Sequence, residues 1–94
     1  MIFVINNLKY DTDKMELVSE KCKYLYSNTG IPRIMYHGKN VKLWRSNKGN
    51  WLITYGKDYT RNYADALSEK EAKTYLISYD IAAYEKIFGE IEEA

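Results

Sequence analysis

The chain has 94 residues, 46% hydrophobic and 29% charged, with a formal net charge of +1. That size allows one domain with one core, and the composition excludes a disordered polymer. A single cysteine, Cys22, excludes an internal disulfide and fits a reducing compartment.

The opening run Ile2 to Ile5 is a strand candidate. It is too short for a signal peptide or a membrane span, so the expected location is the cytoplasm, with no membrane contact. Asn6-Asn7 tolerates left-handed backbone and can turn the chain into Leu8-Lys9-Tyr10. Asp13 with Glu16 then has the spacing of a capping box. Met15, Val18, Cys22 and Leu25 recur at helical intervals, which predicts a helix over 13–25. Ser27-Asn28-Thr29-Gly30 and Pro32 should end it.

Arg33 to Tyr36 is the next strand candidate, and His37-Gly38-Lys39-Asn40 is the expected turn. Val41 to Arg45 and Trp51 to Tyr55 flank Asn47-Lys48-Gly49-Asn50, a strong hairpin signal with positive φ expected at Gly49. Two registers compete. If Ser46 faces Trp51, then Trp44, Trp51, Ile53 and Tyr55 share one face; if Ser46 faces Asn50, the tryptophans separate. The first is favoured because it gathers the aromatics, and a slip of one residue inverts every side chain.

Residues 57–67, after Gly56, have weak periodicity and read as loop plus a turn of helix. Ser68-Glu69-Lys70-Glu71 is a capping box opening a helix whose inner face is Ala72, Tyr75 and Leu76. Asp80 can cap a last helix with Ile81, Tyr84, Phe88 and Ile91 as its stripe, ending at Gly89. The expected fold is α+β: a central antiparallel β-meander packed by one helix in the N-terminal half and two C-terminal helices.

Charge is unevenly spread. From Arg33 to Arg61 seven basic residues stand against Asp58 alone, a net of +6; from Asn62 onward three stand against eight acidic residues, a net of −5. Such a dipolar chain can steer association with a charged partner. The 10 tyrosines and 2 tryptophans are many for so small a core, and aromatic residues with arginine anchor interfaces.

No pattern marks chemistry. His37 sits alone beside a glycine, where a surface turn is the plainer reading than a metal or general-base site. Cys22 lies on an apolar stripe, as a small buried hydrophobe would. The carboxylate pairs Asp11/Asp13 and Glu69/Glu71 are explained by helix starts, and Glu90, Glu92 and Glu93 by a solvated tail. The glycines form no phosphate-binding loop. The expectation is a protein that is not an enzyme and needs no cofactor or metal.

Tyr10-Asp11-Thr12, Leu43-Trp44-Arg45-Ser46, Lys48-Gly49-Asn50-Trp51-Leu52, Tyr63-Ala64 and Leu67-Ser68-Glu69-Lys70-Glu71-Ala72 together resemble a pattern of small bacterial proteins carried by phages and mobile elements. Small proteins of this size and origin include anti-CRISPR inhibitors. The resemblance spans nearly the whole chain but rests on turn, cap and core residues. Many such proteins carry a Gly- and Glu-containing loop after the second tryptophan strand, whereas here Gly56-Lys57-Asp58-Tyr59 is more basic. What the resemblance implies is a stoichiometric inhibitor that binds a CRISPR-Cas effector, a host protein or ribonucleoprotein, and occludes its nucleic-acid or moving surface.

The expected contact set is Trp44, Arg45, Lys48, Lys57, Tyr59 and Arg61. The alternative is a small nucleic-acid-binding regulator using the same basic-aromatic face, since cations interleaved with rings suit single strands. Against it, outward lysines over an inward aromatic core would give the same pattern, and no RNA-binding fingerprint is present. Homodimerisation through an exposed strand edge is a third possibility, leaving monomer or weak homodimer open.

Overall fold

The computed structural model describes residues 1–27, 34–57 and 61–94. Strand β1 (Ile2–Ile5) pairs antiparallel with β2 (Leu8–Asp11), with Ile5 opposite Leu8. Asn6 and Asn7 between them have φ of 51° and 64°. Two successive left-handed residues make the type I′ turn whose twist matches a hairpin, so this expectation holds.

The expected helix over 13–25 does not form. Asp11 caps a single 3-10 turn over Thr12–Lys14, its carboxylate accepting from the Asp13 N–H. The chain then extends as β3 (Glu16–Ser19) along β6, where Leu17 faces Trp44. Past it, Lys21, Lys23 and Leu25 are exposed while Cys22 is buried and Tyr24 and Tyr26 are half-buried. That alternation of period two belongs to extended backbone. Pairing with β6 gives this stretch a ladder that a helix would forgo, and tertiary pairing overrides weak local preference.

Strand β4 (Leu25–Ser27) pairs with β5 (Met35–His37) as a separate two-stranded arm, with Tyr26 opposite Tyr36. Residues 35 and 36 therefore do not belong to the central meander, and His37 is in a strand rather than a turn. The expected break over Asn28 to Gly30, Pro32, and the Arg33 end of the strand candidate lie outside the described residues.

The central sheet has the order β3-β6-β7-β8. Its spine is the expected hairpin, β6 (Lys39–Arg45) and β7 (Trp51–Gly56). Gly49 adopts φ 83°, its N–H bonding the Ser46 carbonyl at 3.0 Å, while the Ser46 N–H bonds the Asn50 carbonyl at 2.8 Å. This is a three-residue type I turn closed by a left-handed glycine, with the positive φ expected at Gly49. Strand β8 (Asn62–Leu67) replaces the loop expected there and pairs with β7 over its whole length.

The register is the one not favoured. Arg45 faces Trp51 and Trp44 faces Leu52, which puts Ser46 opposite Asn50 and the two tryptophans on opposite faces. Both faces of the sheet are covered, so neither demands that the aromatics gather. On one side Leu43, Trp51, Ile53 and Tyr55 pack with Cys22, Val41, Ala72 and Leu76. On the other, Leu52 and Thr54 are 0% and 3% exposed. The β1–β2 hairpin approaches that face: β1 meets β8, and Met1 shares a cleft with Lys42 and Thr54.

Helix α1 (Glu69–Tyr79) opens on the expected reciprocal capping box of Ser68 and Glu71. Asp80 caps α2 (Ile81–Phe88) by accepting from the Ala83 N–H, and the same carboxylate accepts from the Ser19 hydroxyl at 2.6 Å. The inner stripe of α2 is Ala83, Tyr84, Ile87 and Phe88. Ile81 and Ile91, expected on it, are exposed. The α+β class thus holds, with both α-helices in the C-terminal third.

Candidate protein-binding face

Tyr55, buried at the end of β7, is the centre of a tyrosine cluster. Its ring lies 4.5 Å from Tyr24, 5.6 Å from Tyr26 and 6.0 Å from Tyr63. Tyr36 stacks on Tyr26 at 5.7 Å, and Tyr75 of α1 reaches Tyr24 at 6.3 Å. The central sheet supplies Tyr55 and Tyr63 on adjacent strands, directly opposite one another. Tyr26 and Tyr36 come from the arm, where they also face one another. Cross-strand aromatic pairs of this kind stabilise a sheet by about 0.2–1 kcal/mol each.

Lys57 follows β7 and closes the cluster. Its ammonium lies 4.3 Å from the Tyr63 ring centre and 5.2 Å from that of Tyr26. The Tyr26 hydroxyl donates to the Lys57 carbonyl, and the Tyr24 hydroxyl donates to the Asp65 carboxylate. Burial, with Asp65 next, pushes the Tyr24 and Tyr55 phenols above their usual 10; burial, with Glu71 next, does the same for Tyr75. Raised folded values keep the neutral phenol favoured, so the stability they carry is complete below pH 10 and is lost as pH rises beyond it. Urea unfolding at pH 8 and at pH 10.5 should show a lower midpoint at the higher pH. Tyr24→Phe should shrink that difference, and an unchanged difference would refute the assignment.

The arm turns its other side outward. Leu25 and Met35 are 48% and 50% exposed, and Ile34 beside them is 45% exposed. Leu25 and Met35 share one face of the narrow two-stranded arm by register, and this uncovered pair is of the kind that marks an interaction site. The sequence did carry a sign of this: the alternation from Lys21 to Ser27 sends the tyrosines inward and Leu25 outward, a strand signal masked by the helical spacing of Met15, Val18 and Cys22.

The expected contact residues are dispersed. Trp44 is half-buried on the face away from Trp51, its indole N–H donating to the Thr54 hydroxyl at 2.9 Å. Arg45, next along the strand, points the opposite way, 3.3 Å from Glu16 and 5.8 Å from the Trp51 ring centre. Lys48 is exposed at the turn tip, Arg61 is exposed before β8, and Tyr59 lies outside the described residues. Lys48 and Lys57 flank the 6 residues of β7, roughly 20 Å of strand. Of the described residues in the set, Lys57 alone joins the tyrosine cluster.

Cys22 and His37 border one cleft with Lys21 and Lys23. Cys22 is buried and its thiol is pushed up mainly by that burial, so it stays protonated and a poor nucleophile at neutral pH. Among the described residues there is no metal-binding group of histidine, cysteine and carboxylates, and no helix long and apolar enough to cross a membrane. No protein-family model, curated protein or solved structure matches the chain.

Proposed function

We propose that this protein is a non-catalytic binding protein of the anti-CRISPR type, which docks on a host CRISPR-Cas effector and occludes a surface the effector needs. The observation that carries the binding role is the uncovered apolar side of the β4–β5 arm, Leu25 and Met35, turned away from the tyrosine cluster. The kind of target comes from the family resemblance and the lopsided charge. Leu25 and Met35 would enter an apolar recess on the partner. Tyr55 and its neighbours act behind them by fixing the arm against the sheet.

This face suits protein better than nucleic acid. Single strands bind by stacking bases on open rings, whereas the faces of Tyr26 and Tyr63 are taken up by Lys57 and neighbouring tyrosines.

The test is inhibition of guide-loaded Cas effectors of several types by the purified protein. Cleavage by one of them should fall with a one-to-one end point. The double variant Leu25→Asp, Met35→Asp should weaken inhibition at least about tenfold, since desolvated anchors are each worth more than about 1 kcal/mol. Inhibition that survives the double variant would remove the arm from the interface. No effect of excess protein on any effector would overturn the anti-CRISPR reading.

A further inference from the structure

At the other end of the sheet, the β1–β2 hairpin, the 3-10 turn and the β6–β7 turn enclose a groove of about 380 Å³. Its polar rim includes Lys9 from β2, Lys14 from the 3-10 turn and Lys48 from the hairpin tip, and its apolar wall is Leu8 and Met15. We propose that this groove binds the phosphate of a nucleotide, free or within a single strand, with the base lying on Leu8 and Met15. This rests on observations independent of the arm.

Lys9 and Lys14, five residues apart, and Lys48, far from both in sequence, line one concavity, and among the described residues its only acidic lining residue is Asp11. That carboxylate already accepts the Asp13 N–H as the cap of the 3-10 turn. Elsewhere several cations are neutralised or engaged: Lys42 pairs with Glu20, Arg45 with Glu16 and Lys73 with Glu69, and Lys57 sits on tyrosine rings. Among the described residues, Lys9, Lys14 and Lys48 have no carboxylate partner. Lys21, Lys23, Lys70 and Lys86 also lack a carboxylate partner among the described residues, but they do not line this groove. Uncompensated like charges around a concave wall focus a positive potential, which is the condition for drawing in an anion. The chemistry favours phosphate over a lone carboxylate because a phosphate offers several acceptor oxygens to ammonium groups arriving from three directions. The apolar wall favours a phosphate that carries a ring, and the volume falls within the range of about 300–1,000 Å³ usual for small-molecule clefts.

The test uses the full chain with three probes: inorganic triphosphate, ATP and a short single-stranded RNA, titrated by calorimetry or fluorescence anisotropy at low salt. ATP or the RNA should bind more tightly than triphosphate, and which of them binds better distinguishes a free nucleotide from a strand. For the RNA, about 0.7 counterions are released per phosphate contacted, so three contacts predict a roughly 15- to 20-fold loss of affinity from 50 to 200 mM salt. Lys9→Ala, Lys14→Ala and Lys48→Ala should each weaken binding and lower that salt slope by about 0.7. Lys73→Ala on α1 should change neither. No binding of any probe at millimolar concentration overturns the proposal, as does binding that the three groove variants leave intact. Triphosphate binding as tightly as ATP would also refute it by removing the role of Leu8 and Met15. None of these outcomes bears on inhibition through the arm.

Discussion

Trp51→Ala is expected to lower the unfolding free energy by about 3–5 kcal/mol, the usual cost of truncating a buried tryptophan. Trp44→Ala should cost only about 1–2 kcal/mol. Trp51 is 2% exposed, inside the main core, and its ring is 5.9 Å from Phe88 of α2. Trp44 is half-buried and holds one hydrogen bond, to Thr54, worth about 1 kcal/mol. A domain of this size has roughly 5–14 kcal/mol of stability at usual per-residue values. The Trp51 change therefore removes a large fraction and leaves the core between sheet and helices unfilled. Urea midpoints of the two variants decide the matter. Equal losses would mean that the tryptophans share a face and that the register with Arg45 opposite Trp51 is wrong. Trp51→Phe, which keeps a ring in place, should retain a cooperative transition even if the alanine variant does not fold.

Gly38→Ala should cost about 1–3 kcal/mol, the usual range for overpacking a well-filled core. A methyl group at Gly38 would lie 2.9 Å from the Tyr55 β-carbon and 3.3 Å from its ring. Tyr55 cannot give way, because Tyr24, Tyr26 and Tyr63 surround it. Gly38 also ties the arm down, its N–H bonding the Tyr24 carbonyl at 2.8 Å. The methyl group should therefore loosen the arm before the rest of the sheet. Hydrogen exchange should rise at Gly38 and in β4 and β5 while β6 and β7 stay protected. Wild-type stability with unchanged exchange would show that a methyl group at Gly38 fits against Tyr55 without displacing it.

Stacking rather than exposure is how this chain accommodates so many rings. Tyr10, Trp51 and Tyr55 are buried, and most of the other described aromatics are half-buried against one another. An excess of tyrosine over core volume therefore did not require an aromatic docking surface. Apart from Tyr36 and Tyr79, the exposed large apolar groups are aliphatic, among them Leu25 and Met35 on the arm, Ile34 before it, and Ile2 and Val4 on β1. The turn tip over Asn47 to Asn50 presents polar groups, with Lys48 directed to the groove beside the first hairpin. From sequence, Lys48 and Lys57 read as one basic face; the length of β7 separates them.

The features legible from residues alone were those closed within a few positions. Asn6-Asn7 and Gly49 determined two turns, because left-handed backbone is inexpensive only at such residues. Ser68 with Glu71, and Asp80, determined where the helices begin, because their side chains satisfy N–H groups no more than three residues away. Tertiary structure decided everything that depended on a distant partner. Residues 16–19 became a strand by lying against β6, and residues 62–67, with two alanines and an aspartate, did so by lying against β7. The register of β6 on β7 was open from sequence because both faces are covered, by helices on one side and the first hairpin on the other. Local geometry is encoded in the residues that adopt it, whereas strand pairing is encoded in surfaces that exist only once the rest of the chain has folded.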